Sequence, residues 1–231
     1  MRDTIIIGKI LNNQLDRVDP PPSSFINKLY TGVELPQQIS LYEFLDTIIH
    51  SERKSMLYNV LESIDETIIY KSMIHGQAHV ERVTLITFYI ITALGLPDDL
   101  CLFCLYAAVY HDIGRMDDSE DPEHGRRGAE KLESVLHNVQ FSLTRKNKAL
   151  ICAVVEAHSL PDTHTENVLC RYKSKYGDID RMTYYTILNI IKDSDALDRF
   201  RLSDHSLNIN FLRLDISRRL IYVGYCLNHF K

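Results

Sequence analysis

The chain is predicted to be all-α, and three observations carry that prediction. Glycine and proline are sparse, nine and seven among 231 residues, which favours helices over an all-β fold with its many turns. Apolar residues recur at helical spacing through most of the sequence beyond residue 40. Cap signals punctuate those stretches, among them Ser40-Leu-Tyr-Glu43, Pro97-Asp98-Asp99 and Asp180. Hydrophobic residues at 45% and charged residues at 25% are ordinary globular values. A net charge of −5 with no basic block excludes a nucleic-acid scaffold. No segment approaches the ~18 apolar residues of a membrane span, and no signal peptide is visible. Five cysteines without framework spacing point to a reducing, cytoplasmic compartment. Cys101 and Cys104 form a CxxC inside a continuously apolar helix, where packing thiols are expected rather than a redox or zinc pair.

Residues 1–70 read as an N-terminal extension whose helices pack on the main domain, residues 71–231. Ile5 to Leu11 fits a short strand or a helical turn, and Asp19 to Ser24 a break. Ser40 caps LYEFLDTIIH, a second helical run covers Arg53 to Ile64, and His50 is expected at the surface. The segment from Ile74 to Pro97 is a long helix stopped by Gly95 and Pro97. Counting about 100° per residue, Val83, Ile86, Ile90 and Ala93 fall within about 40° of the direction of His79. His79 therefore opens a core-facing stripe, and His75 lies one turn earlier on that side.

The next helix ends an apolar run abruptly at His111-Asp112, with Gly114 expected to stop it at positive φ. Asp121-Pro122 reads as an N-cap with proline at the first helical position. His124 then shares a face with Gly128, Leu132 and Val135, while Arg126 and Arg127 diverge from it. Gly125 and Gly128 would allow a backbone or ligand to approach closely. Ser142 or Thr144 caps a helix in which Ile151, Val154, Val155 and His158 form one stripe. Residues 159–180 are polar and read as a long, partly helical loop suited to a lid, with His164 exposed. Asp180 caps a helix in which Tyr184, Leu188, Ile191 and Asp195 share a face and Asp193 points roughly opposite. Asp198 lies further along the inward side, near Arg199 and Arg201, and is expected in a salt bridge or a supporting hydrogen bond. Residues 212–230 read as a terminal helix covering the core.

His79, His111, Asp112, His124, His158 and Asp195 thus lie on or beside inward faces of separate helices. Buried polar groups need partners, and one metal cluster would satisfy all six. Imidazole and carboxylate are common ligands of divalent metals. A single ion would use His79, His111, Asp112 and Asp195 and leave two histidines over. Two ions bridged by Asp112 use the whole set and leave the site net positive, which suits a phosphate ester and a bound hydroxide.

At these residues the sequence resembles the HD-domain superfamily of metal-dependent phosphohydrolases. HGQAHVERV resembles its first histidine motif, YHDIGR its defining His-Asp pair, and DSDALDR its closing aspartate motif, in which the second Asp is the ligand. With EHGRRGAE and EAHS between, the order H…HD…H…H…D is similar to the dinuclear subset, over roughly residues 70–202. The resemblance implies an HD-domain-like helical bundle. It implies an enzyme acting on a nucleotide or other small phosphate ester, as phosphomonoesterase or phosphodiesterase, through a metal-activated water. The cofactor it implies is a divalent transition metal, two ions of Fe, Mn, Zn, Ni or Co. Arg82 and Arg115, each three residues past a ligand, are expected phosphate contacts, and Lys192 a weaker one. His75 is expected to donate to a leaving group or to a ligand carboxylate. Where cyclic-dinucleotide phosphodiesterases carry a GYP signature, this chain continues as SLPDTHTEN. The alternatives are an inositol-oxygenase-like dinuclear iron enzyme with the same ligands, and a non-catalytic HD binding module. The expected partner is a small-molecule phosphate ester, with no membrane; homo-oligomerisation is left open.

Overall fold

A computed structural model describes residues 24–136 and 143–229. The readings at Ile5–Leu11 and residues 19–23, and the Ser142 cap, lie outside them. Among the described residues every regular element is helical, as predicted. In chain order these are α1 (Ser24–Leu29), α2 (Leu41–His50), α3 (Lys54–Glu62), α4 (Gln77–Ala93), α5 (Asp98–Tyr110), α6 (His124–Val135), α7 (Arg145–His158), α8 (Asp162–Tyr176), α9 (Arg181–Leu197), α10 (Asp215–Arg218) and α11 (Ile221–His229). Short 3₁₀ turns cover Glu66–Ile68, Asp198–Arg201 and Ile209–Phe211. No helix among the described residues is long and apolar enough to cross a membrane.

The caps follow the sequence. The side chains of Ser40, Thr144 and Asp180 accept from the backbone N–H groups of Glu43, Asn147 and Thr183, satisfying donors that a helix start leaves open. Gly95 takes φ +61° just past α4, the left-handed conformation that costs glycine little.

The central element is α5. Phe103 to Tyr110 are all buried, because α4, α7, α9 and α3 pack around it. Cys101 and Cys104 are among its buried residues, and burial pushes both thiols up; they pack, as expected. The extension shares this core. Phe44, Ile48, Leu57 and Val60 belong to the same apolar cluster as Ile86, Val109 and Ile191.

Three readings are corrected. Residues 162–176 are helix α8 and not a loop. Thr165, Val168 and Leu169 are buried, with Tyr172 and Tyr176 half-buried further along, and α8 packs on α7. That stripe is interrupted by charges, which hid it. The terminal segment is two helices rather than one. Asp193 captures the backbone N–H groups of Arg213 and Leu214, and Arg219 O accepts from Ile39 N at 2.9 Å, so the main chain is diverted twice. Lastly, α6 begins at His124 rather than at Pro122, with the Asp121 carboxylate accepting from Glu123 N at 3.1 Å.

Candidate metal centre

The predicted ligands come from helix ends. His79 lies in the first turn of α4 and Asp195 in the last turn of α9; His111 and Asp112 follow directly on α5. His124 is the first residue of α6 and His158 the last of α7. The packing of these helices on one another brings all six side chains together. Sets of their ligand atoms lie within 4.8 Å of one another, namely His79–His111–Asp195, His111–Asp112–His158 and His75–His79–Asp112.

Main-chain carbonyls fix the tautomers of three rings. Nδ1 of His111 donates to Ala108 O at 2.7 Å, and Nδ1 of His158 to Val155 O at 2.6 Å. Nδ1 of His124 donates to Asp121 O. A carbonyl only accepts, so each Nδ1 carries the hydrogen. Nδ1 of His79 faces the carboxylate of Asp198 at 2.6 Å, with the same result. In neutral rings all four Nε2 atoms are then bare lone pairs, the form in which imidazole binds a metal. Yet they face each other: His79 Nε2 is 2.9 Å from His111 Nε2, and His124 Nε2 is 3.0 Å from His158 Nε2. Such contacts repel unless a proton or a cation lies between.

Asp112 divides the four rings by its two oxygens. Oδ2 lies 3.4 Å from His79 Nε2 and 3.7 Å from His111 Nε2. Oδ1 lies 3.1 Å from His124 Nε2 and 3.6 Å from His158 Nε2. Asp195 Oδ1 stands 3.5 Å from His79 Nε2, on the Oδ2 side. The donors are imidazole nitrogens and carboxylate oxygens, a set that fits divalent transition metals. These buried His and Asp groups can hold a metal ion.

The electrostatics agree. Burial raises the cost of charge on Asp112, but the rings around it, His111 first and then His124, His158 and the hydrogen-bonded His75, hold its carboxyl well below the usual range. Asp195 is also held low: Arg201 and His79 outweigh burial. Its side chain is 30% exposed, more open than the other candidate ligands. Burial pushes His111 down to about 4. His79 moves up, because hydrogen bonds to Asp112 and Asp198 outweigh burial and Arg201.

Behind His79, Asp198 is fully buried and accepts from Arg82 Nε at 2.5 Å, from Arg82 Nη2 at 3.1 Å and from Asn228 Nδ2 at 3.0 Å. This is the supporting role expected of Asp198. Arg82, expected as a phosphate contact, has Nε and Nη2 committed to this carboxylate. Lys192 is likewise engaged: its Nζ is bound to Leu160 O and Asp162 Oδ1 at 2.6 and 2.7 Å. Asp193 does not join the centre, as expected, but it is completely buried against Arg213 and Leu214. His75 donates Nδ1–H to Asp112 Oδ2 at 2.9 Å, and Arg115 Nε approaches Asp112 Oδ1 at 3.5 Å. Both line a cavity of about 500 Å³ that His124, His158 and Asp195 also reach. Arg201, which the sequence did not single out, lines it too.

Close backbone packing sets the second pair of histidines. A Cβ on Gly114 would lie 2.0 Å from His124 O and 2.3 Å from Gly128 N; one on Gly125 would lie 2.6 Å from Glu156 O. Gly114 has no positive φ, so it serves close approach and not a left-handed stop. Arg127 Nε and Lys131 Nζ bind the carbonyls of Gly114 and Ile113 at 3.1 and 3.0 Å. Arg126 is exposed and pairs with Glu123 and Glu130.

Comparison of the chain with family models, curated proteins and solved structures gave no match.

Proposed function

We propose that the protein is a metal-dependent phosphohydrolase of the HD-domain type, with two divalent ions held on either side of Asp112. One observation carries the reading: four imidazole lone pairs, fixed in tautomer by Nδ1 acceptors, converge in two pairs on the two oxygens of one buried carboxylate. His79, His111 and Asp195 would hold one ion and His124 and His158 the other, with Asp112 shared. When bound, such ions supply Lewis acidity, neutralising phosphoryl charge and lowering the pKa of water to ~7.

The chain's own groups do the rest. Asp198 orients His79 and is itself held by Arg82. His75 fixes Asp112 through Oδ2 and borders the cavity. In hydrolysis, an oxygen of water bonds to phosphorus, the ester P–O bond breaks, and the leaving oxygen takes up a proton. We assign the supply of that proton to His75, through Nε2 of the ring whose Nδ1 is held on Asp112. A cavity of about 500 Å³ accommodates a nucleotide-sized ester.

The test is metal analysis of the purified and reloaded protein together with a screen of phosphomonoesters and phosphodiesters. Turnover that a chelator abolishes and a divalent metal restores supports the reading. A metal-loaded protein that hydrolyses no phosphoester defeats it, and iron-dependent consumption of dioxygen would favour the oxygenase alternative.

A further inference from the structure

The side chain of Arg201 is only 7% exposed, and its hydrogen bonds are unmade. Nε and Nη1 are buried without a hydrogen-bond partner. Nη2 lies 3.5 Å from His75 Nδ1, but that nitrogen gives its hydrogen to Asp112 and cannot accept another. What remains are ion pairs at 3.6 Å to Asp195 and Asp198, longer than hydrogen bonds. A buried guanidinium with its donors unspent is costly. The neighbouring arginines differ. Arg82 is forked onto Asp198, and Arg115 places Nη1 on Ser119 O at 2.9 Å.

Resting on the phosphohydrolase reading, we infer that Arg201 binds the phosphoryl group of the substrate, and that this group is a terminal, dianionic phosphate. Arg201 stands on the 3₁₀ turn directly after α9, beside Asp195 at the open side of the centre. A cation bound by Asp195 would weaken the pull of that carboxylate on Nη2 of Arg201, the nitrogen that faces it at 3.6 Å, freeing it for an anion, to which a guanidinium binds by a charge-assisted hydrogen bond. Arg115 and the exposed Arg199 line the same cavity. Asp118, Glu120 and Asp121 line it as well and offset those two, so the balance rests on Arg201 and the two divalent ions of the proposed centre, whose five positive charges exceed the two negative ones of Asp112 and Asp195 and favour a phosphate bearing two charges over the single charge of a diester.

The experiment is calorimetric titration of the manganese-loaded protein with inorganic phosphate and with dimethyl phosphate, comparing wild type, Arg201→Gln and, as a control at the mouth, Arg199→Gln. Arg201→Gln should keep its metal and lose tenfold or more in phosphate affinity, with Arg199→Gln changing it much less. Dimethyl phosphate should bind wild type at least tenfold more weakly than phosphate. Unchanged phosphate affinity in Arg201→Gln overturns the assignment, and equal affinity for the two anions overturns the dianion. If Arg201→Gln fails to hold metal, a crystal structure of the loaded wild type with phosphate decides. An oxygen within hydrogen-bond distance of Arg201 supports the inference, and any other position refutes it. Phosphate held by Arg201 in a protein that hydrolyses no ester would refute the proposed activity and leave this site standing.

Discussion

His79 and His111 meet through their Nε2 atoms at 2.9 Å while each Nδ1 is committed to an acceptor. Only one proton fits between them, and the opposed shifts of the two rings place it on His79. A metal taking both lone pairs must expel that proton. Metal affinity should therefore fall as pH falls, by up to tenfold per pH unit for one coupled proton. The metal-free protein should behave differently. His111 is depressed to about 4, so its contribution to stability is lost as pH falls from 6.5 toward that value. His79 is raised, so its contribution is present below 6.5 and lost as pH rises through its folded value. The pair's contribution peaks near pH 6.5 without metal, and loading the metal should remove the decline above it. Thermal melts across pH, with and without chelator, check this. A decline of equal size in both forms would show that the rings are not the ligands.

Asp195 and Asp193 are two residues apart and do different work. Asp195→Asn should abolish much of the metal content while lowering the metal-free melting temperature only modestly, because the side chain is partly exposed and pairs with Arg201 only at 3.6 Å. Asp193→Asn should do the reverse. Its carboxylate accepts from Arg213 N and Leu214 N at 2.9 Å, and weakening charge-assisted hydrogen bonds costs about 1.5–3 kcal/mol. Melting curves and metal analysis of the two variants give the comparison. Metal loss in Asp193→Asn, with full occupancy in Asp195→Asn, would reverse the assignment.

His124→Ala separates one ion from two. The Oδ2 side of Asp112 keeps His79, His111 and Asp195, whereas the Oδ1 side keeps only His158. Metal content after reloading should fall from about two ions to about one per chain, while His111→Ala should remove the ion on the Oδ2 side. Wild-type metal content in His124→Ala would confine the metal to the Oδ2 side and leave His124 and His158 for substrate.

The candidate ligands were legible because each opens or ends an apolar helical stripe. His79, His124 and His158 could be placed by counting around a helix, and Asp195 could be told from Asp193 in the same way. Helix periodicity shows which way a residue faces but not what it meets. Arg82 does face the centre, yet its partner is Asp198, 116 residues away. Lys192 is taken by Asp162, at the start of a helix whose polar sequence read as a loop. The tautomers depend on carbonyls of Ala108, Asp121 and Val155, which every residue type carries. Arg201 lies in a short 3₁₀ turn with no period to count.

Gly114 tests how the turn after His111-Asp112 is joined to α6. Its backbone lacks a positive φ, so Gly114→Ala probes steric contact without left-handed strain. The added Cβ would sit 2.0 Å from His124 O, 2.3 Å from Gly128 N and 2.8 Å from Gly128 Cα. These are backbone atoms, so no rotamer change relieves them, and α6 must move away. His124 moves with it, because the nearest contact is its own carbonyl. Overpacking of this kind costs about 3 kcal/mol or more, roughly 6–12 °C in melting temperature for a chain of this size. Gly128→Ala is the milder comparison. Its Cβ would lie 3.3 Å from Gly114 N and Val155 Cγ1, for a cost of about 1 kcal/mol. Metal analysis should show Gly114→Ala losing the ion near His124 before the ion near His79, since α4 and α9 do not touch the substituted turn through that contact. Wild-type stability and full metal content in Gly114→Ala would mean that α6 is not held at this distance and that His124 is positioned by something else.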